Sequence, residues 1–167
     1  MLTNLDAFSA SLLDQQLRFG KYPTNEEVIE LIKHDYAIFV DLCPCEEITW
    51  QSYPTDNINR IHYPIKDRTA NIKCDLNDNT IGVLIKTITD HLNNNKRVYI
   101  HCLGGHGRSG VISAIIFGLM TKCSPEMALA EIHTAHQKRT EIKPKLRRLG
   151  SPQTAAQKRA VVNYLNK

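Results

Sequence analysis

One ten-residue segment concentrates the reactive side chains of this chain: His101-Cys102-Leu103-Gly104-Gly105-His106-Gly107-Arg108-Ser109-Gly110. An apolar run, Arg97-Val-Tyr-Ile-His101, reads as a strand that delivers Cys102 into a glycine-rich turn. Glycine lets the backbone adopt unusual dihedrals and come close to a ligand. A helical pattern begins at once after the turn, so its unpaired N–H groups and positive dipole end face the same place. A loop of this kind cradles a phosphate or sulfate dianion on the N–H groups of Leu103, Gly104, Gly105, His106 and Gly107. The same field favours the thiolate form of Cys102, the form that acts as a nucleophile. Arg108 lies six positions beyond the cysteine, and its planar fork suits two phosphate oxygens. Ser109 is placed to donate a hydrogen bond to the sulfur when it leaves. The turn is not a nucleotide-binding loop, which needs Gly-Lys-Ser/Thr in place of cysteine and arginine.

His-Cys, five residues, then Arg-Ser-Gly resembles the signature of the cysteine-dependent protein-tyrosine phosphatase superfamily. Two further segments carry the resemblance. Tyr63-Pro-Ile-Lys-Asp67 follows a short strand and looks like the acid loop of dual-specificity and phosphatase-and-tensin-type members. Asp67 stands 35 residues before Cys102, an offset typical of that subset, and is the expected general acid; Asp75 and Asp78 are competing candidates that lack the strand and the proline. Gln153-Thr-Ala-Ala-Gln157 resembles the Gln-Thr-x-x-Gln loop of tyrosine-specific members, with Gln153 placing the hydrolytic water and Gln157 in support. The resemblance implies attack by Cys102 through a phosphocysteine intermediate, with no metal and no cofactor. It also implies that Cys43, at the end of an earlier strand, is a redox partner able to form a disulfide with Cys102. Neither a Trp-Pro-Asp acid loop nor a lysine- and tyrosine-bearing recognition loop near the N-terminus stands out, which argues against a deep, strictly phosphotyrosine pocket.

Other groups compete for roles. Glu46 and Glu47 are both candidates to buttress Arg108, and the sequence does not choose between them. His101 is expected to order the loop by hydrogen bonding. Leu103 and His106 stand where inositol-phosphate-specific relatives carry lysine, which weighs against a highly charged lipid headgroup. Cys43, Cys45 and Cys74 lack the second ligand pair that zinc needs. Lys138, Arg139, Lys143, Lys145, Arg147 and Arg148 form a basic run whose plain reading is a solvated face. It carries no interleaved aromatics, which argues against single-stranded nucleic acid.

These residues need elements to hold them. Thr24-Asn-Glu-Glu27 is a capping box opening a helix to about His34. Tyr36–Leu42 and Arg60–Tyr63 read as strands, with an irregular polar stretch from Pro44 to Asn59 between them. Ile81, Leu84, Ile85, Ile88 and Leu92 recur at helical spacing, in a helix capped by Asn77 or Asn79 and ending near Asn94. Helices follow from Ser109 to about Thr121, from the Ser124-Pro125 start, and from near Thr154. Alternating strands and helices predict an α/β fold, a central mostly parallel sheet flanked by helices, of the protein-tyrosine-phosphatase type. At 167 residues one domain over 1–167 is expected. Hydrophobic residues make up 42% and charged residues 23%, ordinary for a globular domain. No apolar run approaches a membrane span. The start lacks a signal-peptide pattern, and five cysteines without disulfide spacing fit a reduced, cytoplasmic setting. A net charge of +4 suits an anionic partner. The expected function is hydrolysis of phosphotyrosine, with phosphoserine and phosphothreonine as further substrates, on a phosphorylated protein. The alternatives are an RNA 5′-phosphatase, a phosphoinositide phosphatase, or a phosphate-binding adaptor that has lost turnover.

Overall fold

In a computed structural model, residues 4–67 and 79–167 are described; Cys74, Asp75, Asn77 and Asp78 lie outside them. A single five-stranded sheet runs in the order β1-β2-β5-β3-β4. The strands are β1 (Ser9–Leu12), β2 (Leu17–Gly20), β3 (Tyr36–Asp41), β4 (Asn59–His62) and β5 (Arg97–His101). β1 and β2 are antiparallel, and the other pairings are parallel, so the predicted mostly parallel sheet is present. β5 is central, between β2 and β3.

The helices are α1 (Leu5–Phe8), α2 (Asn25–Lys33), α3 (Asn79–Asn93), α4 (Arg108–Thr121), α5 (Pro125–Gln137), α6 (Pro144–Leu149) and α7 (Ala155–Leu165). The capping box at Thr24 and Glu27 forms as the sequence predicts, each side chain bonding the other's backbone N–H. Ser124 caps α5 with Pro125 in the first turn. The expected α3 stripe is buried from Ile81 through Leu92, each side chain contributing roughly 1.5–3 kcal/mol by leaving water.

Alternate residues of a strand face opposite sides of a sheet. Val98 and Ile100 accordingly join Val40, Phe19 and the apolar residues of α3, α4, α5 and α7 in one core. Tyr99 joins Tyr36, Phe39, Tyr53 and the apolar residues of α1 and α2 in a second core on the other face. α4 is buried on nearly every side from Arg108 to Ile116, which makes it the central helix of the first layer. Its N-terminus is therefore locked at the carboxyl end of β5, where open α/β sheets place their ligands.

Several elements depart from the sequence reading, α1 (Leu5–Phe8) among them. The β1–β2 hairpin was not expected: its turn passes through Leu13, Asp14 and Gln15 with φ of 51°, 49° and 68°, without the glycine or asparagine that normally marks such a turn. The stretch after β3 contains a short 3₁₀ turn at Cys45–Glu47. The basic run contains α6.

Candidate active site

The loop after β5 closes around the Cys102 sulfur. The Gly105 N–H donates to Sγ at 3.3 Å, and Ser109 Oγ lies 3.4 Å away at the start of α4. Cys102 is 3% exposed and Ser109 is fully buried. Gly105 has φ +76°, and a Cβ there would stand 2.2 Å from the Gly20 carbonyl carbon, so only glycine fits this bend. Of the predicted cradle, Gly104 and Leu103 are exposed and Gly105, His106 and Gly107 are buried.

Arg108 is 3% exposed and held on three sides. Its Nη1 donates to Glu47 Oε1 at 3.0 Å and to the Ile65 carbonyl at 2.8 Å, and Nη2 meets Glu47 Oε2 at 2.9 Å. The choice left open between Glu46 and Glu47 thus falls on Glu47. Burial works to lower the Arg108 pKa, but Cys102 and Glu47 outweigh it and hold it above its ordinary value. Arg108 Nε lies 3.8 Å from Asp67 Oδ1, and Asp67 remains 64% exposed at the end of its segment. Thiol, cation and carboxylate therefore converge from β5, α4 and the segment after β4. Of the competing acids, Asp75 and Asp78 lie outside the described residues.

Gln153 and Gln157 approach the loop from the other side. A Cβ on Gly107 would come within 2.5 Å of Gln157 Nε2 and 3.1 Å of Gln153 Oε1. Gln157 Oε1 accepts the N–H groups of Gln153 and Thr154, completing a capping box at α7. Gln157 thereby builds the turn that presents Gln153, and its own carbonyl is occupied.

His101 is fully buried. Tyr53 Oη lies 2.7 Å from its Nε2, and its Nδ1 is 3.3 Å from the Cys102 carbonyl. Burial pushes it down to about 4, so it is neutral near pH 7 and orders the loop, as expected. Cys43 is buried, and both it and Cys102 are free thiols. Burial, then the neighbouring Cys102, push the Cys43 thiol well up, which makes it a slow attacker. Asp41, Cys43 and His101 bring ligand atoms within 4.8 Å of one another. Two of the three are already engaged: Asp41 takes Arg60 and the Cys43 N–H, and His101 takes Tyr53.

Several contributors were not legible beforehand. Tyr53 comes from the stretch read as irregular. Lys21 and Tyr22 follow β2, and the Tyr22 N–H donates to the Leu103 carbonyl at 3.0 Å. The basic run divides: Arg139 is 3% exposed and Arg147 donates to the Arg139 carbonyl at 2.8 Å, which leaves Lys138, Lys143, Lys145 and Arg148 at the surface. Among the described residues no helix is long and apolar enough to cross a membrane.

Comparisons agree with this geometry. Residues 6–161 match the domain family described as Swiss Army Knife protein, DSP-PTPase phosphatase domain. The chain is 36% identical over 127 residues to "Putative tyrosine phosphatase 197R" of Invertebrate iridescent virus 6, covering 75% of this chain and 47% of that protein. It is 34% identical over 130 residues to "Putative tyrosine phosphatase 067L" of Invertebrate iridescent virus 3, covering 74% and 51%. The chain thus spans about half the length of these relatives. Its fold is similar to the crystal structure of Tk-PTP in the active form, with TM-score 0.73 and 24% identity over 95% of this chain and 97% of that one. With the cysteine loop, the arginine and the flanking carboxylate brought together on this sheet, the chain belongs to the DSP-PTPase phosphatase domain family.

Proposed function

We propose that the protein is a phosphoprotein phosphatase that hydrolyses phosphotyrosine, with phosphoserine and phosphothreonine as further substrates, through a phosphocysteine intermediate on Cys102. The observation that carries this reading is the convergence at α4: Cys102 Sγ within 3.4 Å of both the Gly105 N–H and Ser109, beside a clamped Arg108 that is 3.8 Å from Asp67.

In the proposed reaction the Cys102 thiolate attacks phosphorus in line, and the sulfur–phosphorus bond forms as the bond to the leaving oxygen breaks. The loop N–H groups and Arg108 stabilise the equatorial oxygens. Asp67 gives its proton to the leaving oxygen. Water held by Gln153 then loses a proton to Asp67 and attacks phosphorus, and the thiolate departs with a hydrogen bond from Ser109. No step calls on a metal or a cofactor.

Two features support a phosphoprotein over RNA or a lipid headgroup. Leu103 is an exposed apolar residue on the loop, and His106 is turned inward rather than offered as a cation. Removing Arg139 and Arg147 from the basic face also weakens the RNA reading. The test is a panel of phosphotyrosine, phosphoserine and phosphothreonine peptides, 5′-triphosphorylated RNA and a phosphoinositide, assayed with EDTA present. Phosphotyrosine peptide is expected to give the highest kcat/KM; a higher value for RNA or lipid overturns the substrate assignment.

A further inference from the structure

Arg139 belongs to the basic run that reads as a solvated face, yet it lies inside, under the cysteine loop. Its Nη1 donates to the Gly105 carbonyl at 2.9 Å and to the Gly104 carbonyl at 3.3 Å, and lies 3.5 Å from His106 Nδ1. No ion pair with a carboxylate is seen for it among the described residues, in contrast to Arg108 and its Glu47. Burial pulls its pKa down, opposed by Tyr99 and Cys102, yet a guanidinium stays charged.

The geometry of a trans peptide gives this contact a consequence. The C=O and N–H of one peptide unit point in opposite directions. The Gly104 carbonyl that meets Arg139 shares its peptide with the Gly105 N–H that donates to Cys102 Sγ. One rigid plane therefore links the Arg139 cation to the sulfur. The next plane repeats the arrangement: Arg139 holds the Gly105 carbonyl, so the His106 N–H points away from it. A charge at the carbonyl end also polarises the N–H at the other.

We propose that Arg139 is a positioning residue for the reaction: it holds the two peptide planes between Gly104 and His106 with their carbonyls turned toward itself, and so aims their N–H groups at the sulfur and at the oxyanion. The inference rests on the reading of Cys102 as the nucleophile. The Arg139 backbone is itself held in place. Arg147 donates to the Arg139 carbonyl, and the Arg139 backbone N–H donates to the His136 carbonyl at the end of α5. His136 Nε2 lies 2.8 Å from His106 Nδ1, and both rings are buried. Because Arg139 is donor-only, His106 Nδ1 is an acceptor and His136 Nε2 carries the proton. Arginine and histidine together fill the underside of the loop, where Tyr99, Glu27 and Arg147 are the other ionisable groups acting on Arg139.

The experiment compares wild type, Arg139→Met and Arg139→Lys by p-nitrophenyl phosphate turnover, by inhibition with orthovanadate and by thermal melting. A loop that has lost its aim binds the oxyanion less well and turns over more slowly. Arg139→Met is expected to melt cooperatively, to weaken vanadate inhibition about tenfold or more, and to lower kcat about tenfold to a hundredfold. Arg139→Lys keeps the charge without the planar fork and is expected to fall between the two. Should Arg139→Met fail to fold, Arg139→Lys decides alone: vanadate affinity below wild type at a retained melting transition supports the inference, and a wild-type value overturns it. A folded Arg139→Met within about twofold of wild type on both kinetic readouts also overturns it. A wild type that neither turns over nor binds vanadate removes the Cys102 reading, and this inference with it. An active, inhibitable wild type with an indifferent Arg139→Met removes this inference alone.

Discussion

Arg108 and Glu47 meet on two prongs, at 3.0 Å and 2.9 Å, with the arginine almost fully buried and the carboxylate at its edge. The pair fixes the guanidinium plane before any phosphate arrives. An arginine left to choose its own rotamer would lose side-chain entropy on binding, and this one has already lost it. Glu47→Gln keeps the shape but removes the charge. It is expected to lower kcat/KM about tenfold to a hundredfold, in line with roughly 1.5–3 kcal/mol for a hydrogen bond to a charged group. Glu46→Gln, one position away on the same 3₁₀ turn and exposed, is expected to leave kcat/KM unchanged. Equal effects of the two would contradict the pairing.

Glycines separate strain from propensity. Gly105→Ala places a Cβ 2.2 Å from the backbone of Gly20 at φ +76° and is expected to abolish turnover and to cost about 1–3 kcal/mol or more in stability by urea titration. Gly82 lies on α3 with nothing within 4 Å of an added Cβ. Gly82→Ala is expected to raise stability by roughly 0.5–1 kcal/mol and to leave turnover alone.

Three histidines tie stability to pH. Burial pushes His101 and His106 down to about 4 and His136 to about 3, against about 6.5 in the unfolded chain. Between those values the unfolded chain binds more protons than the folded one, so stability rises with pH and is lost as pH falls below about 6.5. The melting temperature is expected to drop steadily from pH 7 to pH 5. The free-energy slope is expected to approach about 1.4 kcal/mol per pH unit for each histidine. His136→Gln is expected to flatten that slope; an unchanged slope would mean that His136 does not contribute.

Leaving-group chemistry separates an acid from a structural carboxylate. If Asp67 protonates the leaving oxygen, Asp67→Asn is expected to slow phenyl phosphate, a poor leaving group, about 10²–10⁴-fold and p-nitrophenyl phosphate much less. Equal losses on both substrates would assign Asp67 to holding Arg108, which it approaches at 3.8 Å.

What could be read beforehand follows a physical division. Cys102, Gly105 and Arg108 lie within seven consecutive positions, so local backbone chemistry brings them together and the sequence shows it. The α3 stripe and the caps at Thr24, Ser124 and Thr154 are likewise local signals. The N-terminal hairpin was hidden because each of its strands is only four residues long and the turn uses left-handed non-glycine residues. Tyr53 and Arg139 reach the site by tertiary packing from 48 and 34 positions away along the chain, a distance at which periodicity carries no information, and Glu47, 61 positions away, was legible only as one of two candidate carboxylates. Arg139 was masked further by its neighbours, since a run of cations reads as surface unless something marks which one turns inward.

The measurement that bears most directly on the mechanism is an acid quench of wild type during turnover of p-nitrophenyl phosphate, followed by peptide mass spectrometry. The account predicts a phosphorylated Cys102 peptide that accumulates in Gln153→Ala, through loss of the water-placing side chain, and is absent from Cys102→Ser, which is expected to be inactive. Turnover that persists in Cys102→Ser, or phosphate found on another residue, would contradict it.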